Sequence, residues 1–381
     1  MDNIRHVQTF IILFKDFFDI FYLNNINGFY KLFHIAMNKI EYGMKLDFSN
    51  VLIRPKRSTL NSRSHVKLER KFKFKYSKLE WEGIPIISAN MDTTGTFQMY
   101  HALKKYKIIT AMNKFYTKED YIRENKDAGL NPDYFMVSTG ISDSDFEKLE
   151  SILYEVPCNW ICIDIANGYI SNLVKFCKKV RERFPDKRIV AGNVVTREMV
   201  EELILEGNVD IVKVGIGPGA ACTTRIKTGV GMPQLSAIIE CADAAHGVNG
   251  LIIGDGGITC PGDMSKAFGA GADFVMVGSA FAGHDENPGE LIERDGKLFK
   301  AFYGMSSKKA METHYGKMAE YRSSEGRELL IKYKGPLDNT VQDYLGGLRS
   351  TCTYINAESM KQMAKCTTFI QVSQQVNTSL L

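Results

Sequence analysis

Cys222 stands in the run Gly215-Ile-Gly-Pro-Gly-Ala-Ala-Cys-Thr-Thr-Arg225, a setting that none of the other seven cysteines shares. Three glycines and a proline ahead of it let the backbone turn tightly and aim amides and carbonyls at a ligand or ion. Thr223, Thr224 and Arg225 add two hydroxyls and a fixed positive charge that help to hold a thiolate. The pattern predicts a catalytic nucleophile, while the bland account, a packed structural thiol, suits the other seven. In the polar stretch Glu320-Tyr-Arg-Ser-Ser-Glu-Gly326, Glu325 is an acid able to work with Thr224 in proton transfer, although most charges in such stretches are merely solvated.

Two glycine-rich turns, Asp255-Gly256-Gly257-Ile-Thr and Gly278-Ser279-Ala280, carry small residues that let backbone amides approach phosphate oxygens. Asp255 cannot face a phosphate and is better placed to accept from ribose hydroxyls. Tight turns without a ligand are the alternative. Asp164-Ile165-Ala166-Asn167-Gly168 and Ser88-Ala-Asn90-Met-Asp92 offer carboxylates and amides that bind a sugar or a nicotinamide carboxamide, or cap the next helix. Sequence leaves that choice open.

These segments fall at the ends of apolar runs that repeat along the chain. The runs are 84–91, 108–112, 134–140, 160–167, 188–194, 210–217, 250–256 and 273–281. Helical spacing of apolar residues lies between them at 143–156, 170–184, 197–206 and 233–246. Eight strand signals alternating with helices predict an α/β fold, a TIM (β/α)8 barrel whose site is built past the C-terminal strand ends. A doubly wound sheet competes, but the Gly-x-Gly-x-Gly segment lies at the sixth run instead of the first. Cys222 then follows strand six, and the two glycine turns follow strands seven and eight, the frequent phosphate site of this fold. Residues 283 to about 339 form a long stretch before a last helix near 340–349, and a flap over the barrel mouth is expected there.

Composition bounds the rest. A hydrophobic content of 44% in 381 residues supports one large folded domain. A net charge of +4 from 48 basic and 44 acidic residues gives no field that implies a nucleic-acid partner. The cysteines form no CxxC pair and lack histidines at zinc spacing, which fits free thiols in a reducing cytosol. Residues 1–36 differ from the remainder in their density of Phe, Ile, Asn and Tyr. Phe10, Phe14, Phe17 and Phe21 share one helical face, but charges interrupt every apolar stretch before the ~18 residues a membrane span needs. We read this segment as an N-terminal extension without assigned function, or as sequence upstream of a start at Met37.

With these segments in place, residues from about 37 to 376 closely resemble the GMP reductases, relatives of the IMP dehydrogenases. The matching stretches are Phe48 to Ser58, Ala89 to Asp92, Gly192 to Thr196, Lys213 to Gly231, Phe302 to Ser307 and Leu345 to Tyr354. The resemblance implies NADPH-dependent deamination of GMP to IMP and ammonia, in a homotetramer, with Cys222 attacking purine C2 to give a thioimidate. It implies that Thr224 and Glu325 supply the proton that ammonia needs to leave. GMP would lie on Asp255, Gly256, Gly257, Gly278, Ser279, Gly304, Met305, Ser306, Arg322, Ser323, Ser324 and Gly326. NADPH would use Lys114, Asp164, Ile165, Ala166, Met305, Tyr321 and Arg322, with Ser62, Arg63, Ser350, Thr351, Cys352 and Thr353 coming from a neighbouring subunit. Arg63 suits the additional phosphate of NADPH. A monovalent cation, K+ in the family, would take carbonyls of Gly217, Gly219 and Cys222 with Arg225 close by. Ser279 departs from the Gly-Gly common in the reductases and looks more like the dehydrogenase, though a hydroxyl there still binds phosphate.

Two rivals remain on the same barrel. An IMP dehydrogenase shares the cysteine but usually carries a regulatory insertion between strands two and three, where this chain has only Asn113 to Asp133. A catalytically dead nucleotide-binding regulator would need none of Cys222, Thr224 and Glu325.

Overall fold

The computed structural model describes residues 40–316 and 323–373. The chain divides into two units, Met1–Met44 and Lys45–Leu381, and the second holds all the elements below. The expected extension, 1–36, lies outside the described residues.

Eight parallel strands close into a barrel in the unit Lys45–Leu381. They are β1 (Ile86–Ser88), β2 (Ile109–Ala111), β3 (Phe135–Thr139), β4 (Trp160–Asp164), β5 (Arg188–Val194), β6 (Ile211–Val214), β7 (Leu251–Asp255) and β8 (Phe274–Val277). Each lies inside one of the eight apolar runs. β7 pairs with β8 and with β6, and β8 pairs with β1, so no barrel edge is left open. All residues of β1, β2, β3, β6 and β8 are buried, because helices cover one face and the barrel interior fills the other. Continuous apolar runs, instead of alternating ones, are the sequence form of that double burial.

The helices follow their strands. α1 is Phe97–Lys104, α2 Lys118–Ala128, α3 Asp143–Glu155, α4 Ser171–Arg183 and α5 Arg197–Leu205. After β6 come the short α6 (Thr224–Thr228) and α7 (Gln234–Gly247), and α8 (Pro261–Gly269) joins β7 to β8. Thr117 with Asp120 and Ser142 with Asp145 form reciprocal capping boxes that fix where α2 and α3 begin. The connection between β2 and β3 holds α2 alone, with no inserted domain.

The N-terminal end of the barrel is plugged. An antiparallel pair, Arg70–Phe72 with Trp81–Gly83, brings Phe72 to 4.5 Å from Phe274 and Trp81 to 5.9 Å from Trp160, between ring centroids. Phe274 and Trp160 are the first residues of β8 and β4. This aromatic floor leaves the opposite, C-terminal end for chemistry.

The flap expectation needs correction in one respect. Residues 283–339 are not a structureless loop: they contain an antiparallel sheet of β9 (Ile292–Arg294), β10 (Lys297–Tyr303) and β11 (Glu328–Lys332), with helix α9 (Lys308–Tyr315) between the last two. β10 pairs with β11 from Phe299↔Lys332 to Tyr303↔Glu328, which sets Gly304 and Arg327 side by side. The helix expected near 340–349, α10, is also longer than expected, running Leu337–Ile355. Gly347 is where α10 closes on α8. A Cβ there would lie 2.5 Å from Pro261 Cβ, so the missing side chain serves packing.

Candidate active site

A cavity of about 680 Å3 opens at the C-terminal ends of the strands. The loop after β6 brings Gly217, Gly219, Cys222 and Thr224 to its wall, the loops after β7 and β8 bring Asp255, Gly256, Gly257, Gly278 and Ser279. From the flap come Gly304, Met305, Ser306, Ser323, Glu325 and Gly326. Lys114, Asp164, Ile165 and Ala166 form the side opened by β2 and β4. Residues scattered from 89 to 326 thus converge as the barrel geometry requires.

Three side chains stand in line. The Cys222 thiol donates to Thr224 Oγ1 at 3.2 Å, and the Thr224 hydroxyl donates to Glu325 Oε2 at 2.8 Å. Backbone holds this line in register. Cys222 and Gly326 form an antiparallel bridge, flanked by Thr223 N donating to Glu325 O at 2.8 Å and Arg327 N donating to Ala221 O at 2.9 Å. Thr223 Oγ1 donates to Ser324 O at 3.1 Å, so Ser324 serves the ladder and does not line the cavity. Gly326 is demanded by close approach, since a Cβ there would lie 2.8 Å from Ser307 N. The arrangement gives a thiol a two-bond path to a carboxylate, which is what a nucleophile and its proton acceptor need.

The floor carries a second network that sequence reasoning missed. Lys213, in the middle of β6, is 3% exposed and places Nζ 2.6 Å from Asp164 Oδ1 and 2.9 Å from Asp255 Oδ2. Asn90 Nδ2 donates to Asp164 Oδ2 and Asn193 Nδ2 to Asp255 Oδ2, both at 2.9 Å. Burial opposes the charge on Lys213, but Asp164 and Asp255 outweigh it and hold the ammonium above the usual lysine range. Burial likewise opposes ionisation of Asp164, and Lys213 with Asn90 overcomes it, leaving that carboxyl below the usual range. A lysine between Val212 and Val214 in a strand buried throughout was the available signal.

The polar residues at the strand ends take different places. Asn90 and Asp164 face the cavity, whereas Asn167 Oδ1 accepts from Tyr169 N at 3.1 Å and so caps a turn. Asp92 holds the flap: its Oδ2 lies 2.7 Å from His314 Nε2 and accepts from Tyr303 OH at 3.0 Å. His314 also stacks on Phe115, centroids 3.5 Å apart, which seats α9 at the cavity rim where Met311 and Tyr315 join the lining.

Some expected residues lie elsewhere. Tyr321 and Arg322 are outside the described residues. Ser62, Arg63 and Ser350, Thr351, Cys352 and Thr353 do not line this cavity; they belong to a 3-10 turn, Arg63–His65, and to the end of α10, which pack against each other. Within that group Cys352 is fully buried, and burial pushes its thiol up to about 12. Arg225 packs against Gly217, but its guanidinium donates to Asp47 Oδ2 at 3.0 Å and Met232 O at 2.6 Å. The side chain braces the loop; a guanidinium has no lone pair for a cation, so a cation here would take the backbone carbonyl of Arg225.

Fold and site define an α/β-barrel enzyme with a cysteine, a hydroxyl and a carboxylate aligned at the barrel mouth. The chain belongs to the IMP dehydrogenase/GMP reductase family, whose domain model matches residues 45–378. It is 58% identical over 341 residues to "GMP reductase" of Klebsiella pneumoniae subsp. pneumoniae, covering 89% of this chain and 98% of that protein. It is 57% identical over 345 residues to "GMP reductase 2" of Homo sapiens, covering 90% and 98%. A further relative, "GMP reductase" of Photobacterium profundum, is 57% identical over 343 residues, covering 89% and 98%. Among the described residues no helix is long and apolar enough to cross a membrane.

Proposed function

We propose that the chain is a GMP reductase, an oxidoreductase that converts GMP to IMP and ammonia at the expense of NADPH. The observation that carries this reading is the line from Cys222 Sγ through Thr224 Oγ1 to Glu325 Oε2, in a chain so closely related to proteins of that name.

The residues present fit the ligands. A cavity of this size suits a nucleotide with a nicotinamide ring beside it. Gly256, Gly257, Gly278 and Ser279 leave backbone open to a phosphate, and Asp255 is an acceptor for ribose hydroxyls. Lys114 and Asp164 offer a donor and an acceptor to a carboxamide.

The Cys222 proton passes through Thr224 to Glu325, and the thiolate bonds to C2 of the purine. The C2 amino nitrogen leaves as ammonia, taking the proton that Glu325 returns through Thr224, because an amide anion is too basic to leave unaided. Cys222 then holds the purine as a thioimidate. Lys114 and Asp164 would hold the nicotinamide end of NADPH, which would supply the hydride that makes C2 the C–H of IMP as the Cys222–C2 bond breaks. Cys222 leaves as thiolate and regains a proton from solvent. The flap strands over the site limit water, whose attack on the thioimidate would divert the reaction.

Carbonyls of Gly217, Gly219 and Cys222 are the hard oxygen donors that a K+ ion takes, and such an ion would supply positive charge beneath the loop. Ser62, Arg63 and Ser350 to Thr353 serve the cofactor of an adjoining subunit in a homotetramer, a reading supported by their place away from this cavity. Eight free thiols support a reducing, cytosolic setting.

The test follows NADPH absorbance on adding GMP and, separately, NAD+ reduction on adding IMP. GMP-dependent loss of NADPH is expected. Activity only with IMP and NAD+ would make the chain a dehydrogenase, and activity in neither assay would favour a nucleotide-binding regulator.

A further inference from the structure

Lys213 is the one cation among the described residues that touches both Asp164 and Asp255, and those two carboxylates belong to different halves of the cavity. Asp164 ends β4 on the side of Lys114 and Ala166, and Asp255 ends β7 beside Gly256 and Gly257. The three side chains sit on β4, β6 and β7. Asn90 from the loop after β1 and Asn193 from β5 close the network at either end. The remaining titratable groups that act on the network are Lys114, which draws on Asp164, and Cys162, a buried thiol on β4 pushed up to about 12 and therefore neutral.

We propose that Lys213 is a positioning residue which, through one shared ammonium, fixes the carboxylate that meets the ribose of GMP and the carboxylate that meets the nicotinamide side, so that the two ligands are registered against each other. The inference rests on the reductase reading for its ligands and on the geometry alone for the network. Two carboxylates held this close in a buried setting repel each other unless a cation lies between them. With the cation present, each carboxylate is fixed by a charge-assisted bond and presents its remaining lone pairs to a ligand. Position is the commodity here: a misplacement of about 1 Å between reacting groups costs on the order of a hundredfold in rate.

The experiment compares Lys213→Met, Lys213→Gln, Asp164→Asn, Asp255→Asn and the double variant Lys213→Met/Asp164→Asn. In steady-state kinetics of the full chain, Asp164→Asn should raise the KM for NADPH and Asp255→Asn that for GMP. Lys213→Met should raise both, each by on the order of 10- to 100-fold, the loss expected for a charged hydrogen bond. Lys213→Gln keeps two N–H donors without the charge and should fall between Met and wild type. A purely structural lysine would lower the active fraction and leave both KM values in place, which would overturn the proposal.

Thermal melting at pH 8 reads the network independently of turnover. Asp164→Asn should lower Tm in the wild type, where it strands part of the Lys213 charge, and should raise Tm in Lys213→Met, where it removes a like-charge repulsion. If Lys213→Met is recovered only unfolded, the second substitution must restore folded protein. A fall in Tm, or no recovery, on adding Asp164→Asn to Lys213→Met would contradict the bridge. Wild-type protein inert toward GMP and NADPH would remove the reductase reading, and the melting comparison would then decide the network by itself.

Discussion

Thr224 and Glu325 are 101 residues apart in sequence, yet the threonine hydroxyl lies 2.8 Å from the glutamate Oε2. The contact depends on the flap sheet: β10 and β11 run back to the barrel mouth together, and the ladder between 221–223 and 325–327 fixes the last step. Glu325 is therefore positioned by backbone as well as by side chain.

Glu325→Gln tests what that position is for. The amide preserves a partner for Thr224 and the ladder is untouched, but it cannot take up a proton. We expect kcat for GMP to fall by about 10²- to 10⁴-fold, the usual contribution of a positioned acid or base, with KM for GMP changed little. Steady-state NADPH oxidation measures it. A kcat within a few-fold of wild type would remove Glu325 from the proton path.

The opposite end of the barrel predicts a pure stability effect. Asp210, immediately before β6, is fully buried and accepts from Arg181 Nη2 at 2.5 Å, Tyr76 N at 2.9 Å, Ile189 N at 3.0 Å and Ser77 N at 3.1 Å. Asp210→Ala strands the buried Arg181 charge and should cost about 3–5 kcal/mol in denaturant unfolding. The KM values of the folded fraction should not move, because the cavity lies at the other end of the strands. A shift in KM with unchanged stability would contradict this division of roles.

His284 gives the chain an acid sensitivity. Its ring is buried between the end of β8 and α10, with Nε2 2.7 Å from Thr340 Oγ1. Burial, helped by Lys334, lowers its pKa to about 4. A histidine at about 6.5 when unfolded and near 4 when folded contributes stability that is complete above pH 6.5 and is lost as pH falls toward 4, since the unfolded chain binds the proton first. The loss amounts to roughly 3 kcal/mol when fully developed. Unfolding free energy measured from pH 7 to pH 4 should therefore fall less steeply in His284→Gln than in the wild type. Parallel slopes would show that His284 takes up its proton in the fold as readily as in the unfolded chain, and would contradict the lowered pKa.

The barrel was legible because its strands are buried on both faces and so leave continuous apolar runs, each bounded by glycine or polar residues. Cys222 and the turns after β7 and β8 were legible for the same reason: their glycines and hydroxyls serve no strand. The flap sheet was not, since β9 to β11 are half-exposed and their polar residues hide any alternation. Lys213 was overlooked because its function lies in two contacts 42 and 49 positions away, which no local spacing reveals. His314 and Asp92, 222 residues apart, escaped in the same way.

Cys222→Ala is the most direct test of the account. The substitution removes Sγ and leaves the nucleotide loops and the flap ladder in place. GMP binding, followed by calorimetry, should stay within a few-fold of wild type, while ammonia release and NADPH oxidation fall to background. Turnover that survives the loss of this thiol would contradict a covalent mechanism at Cys222.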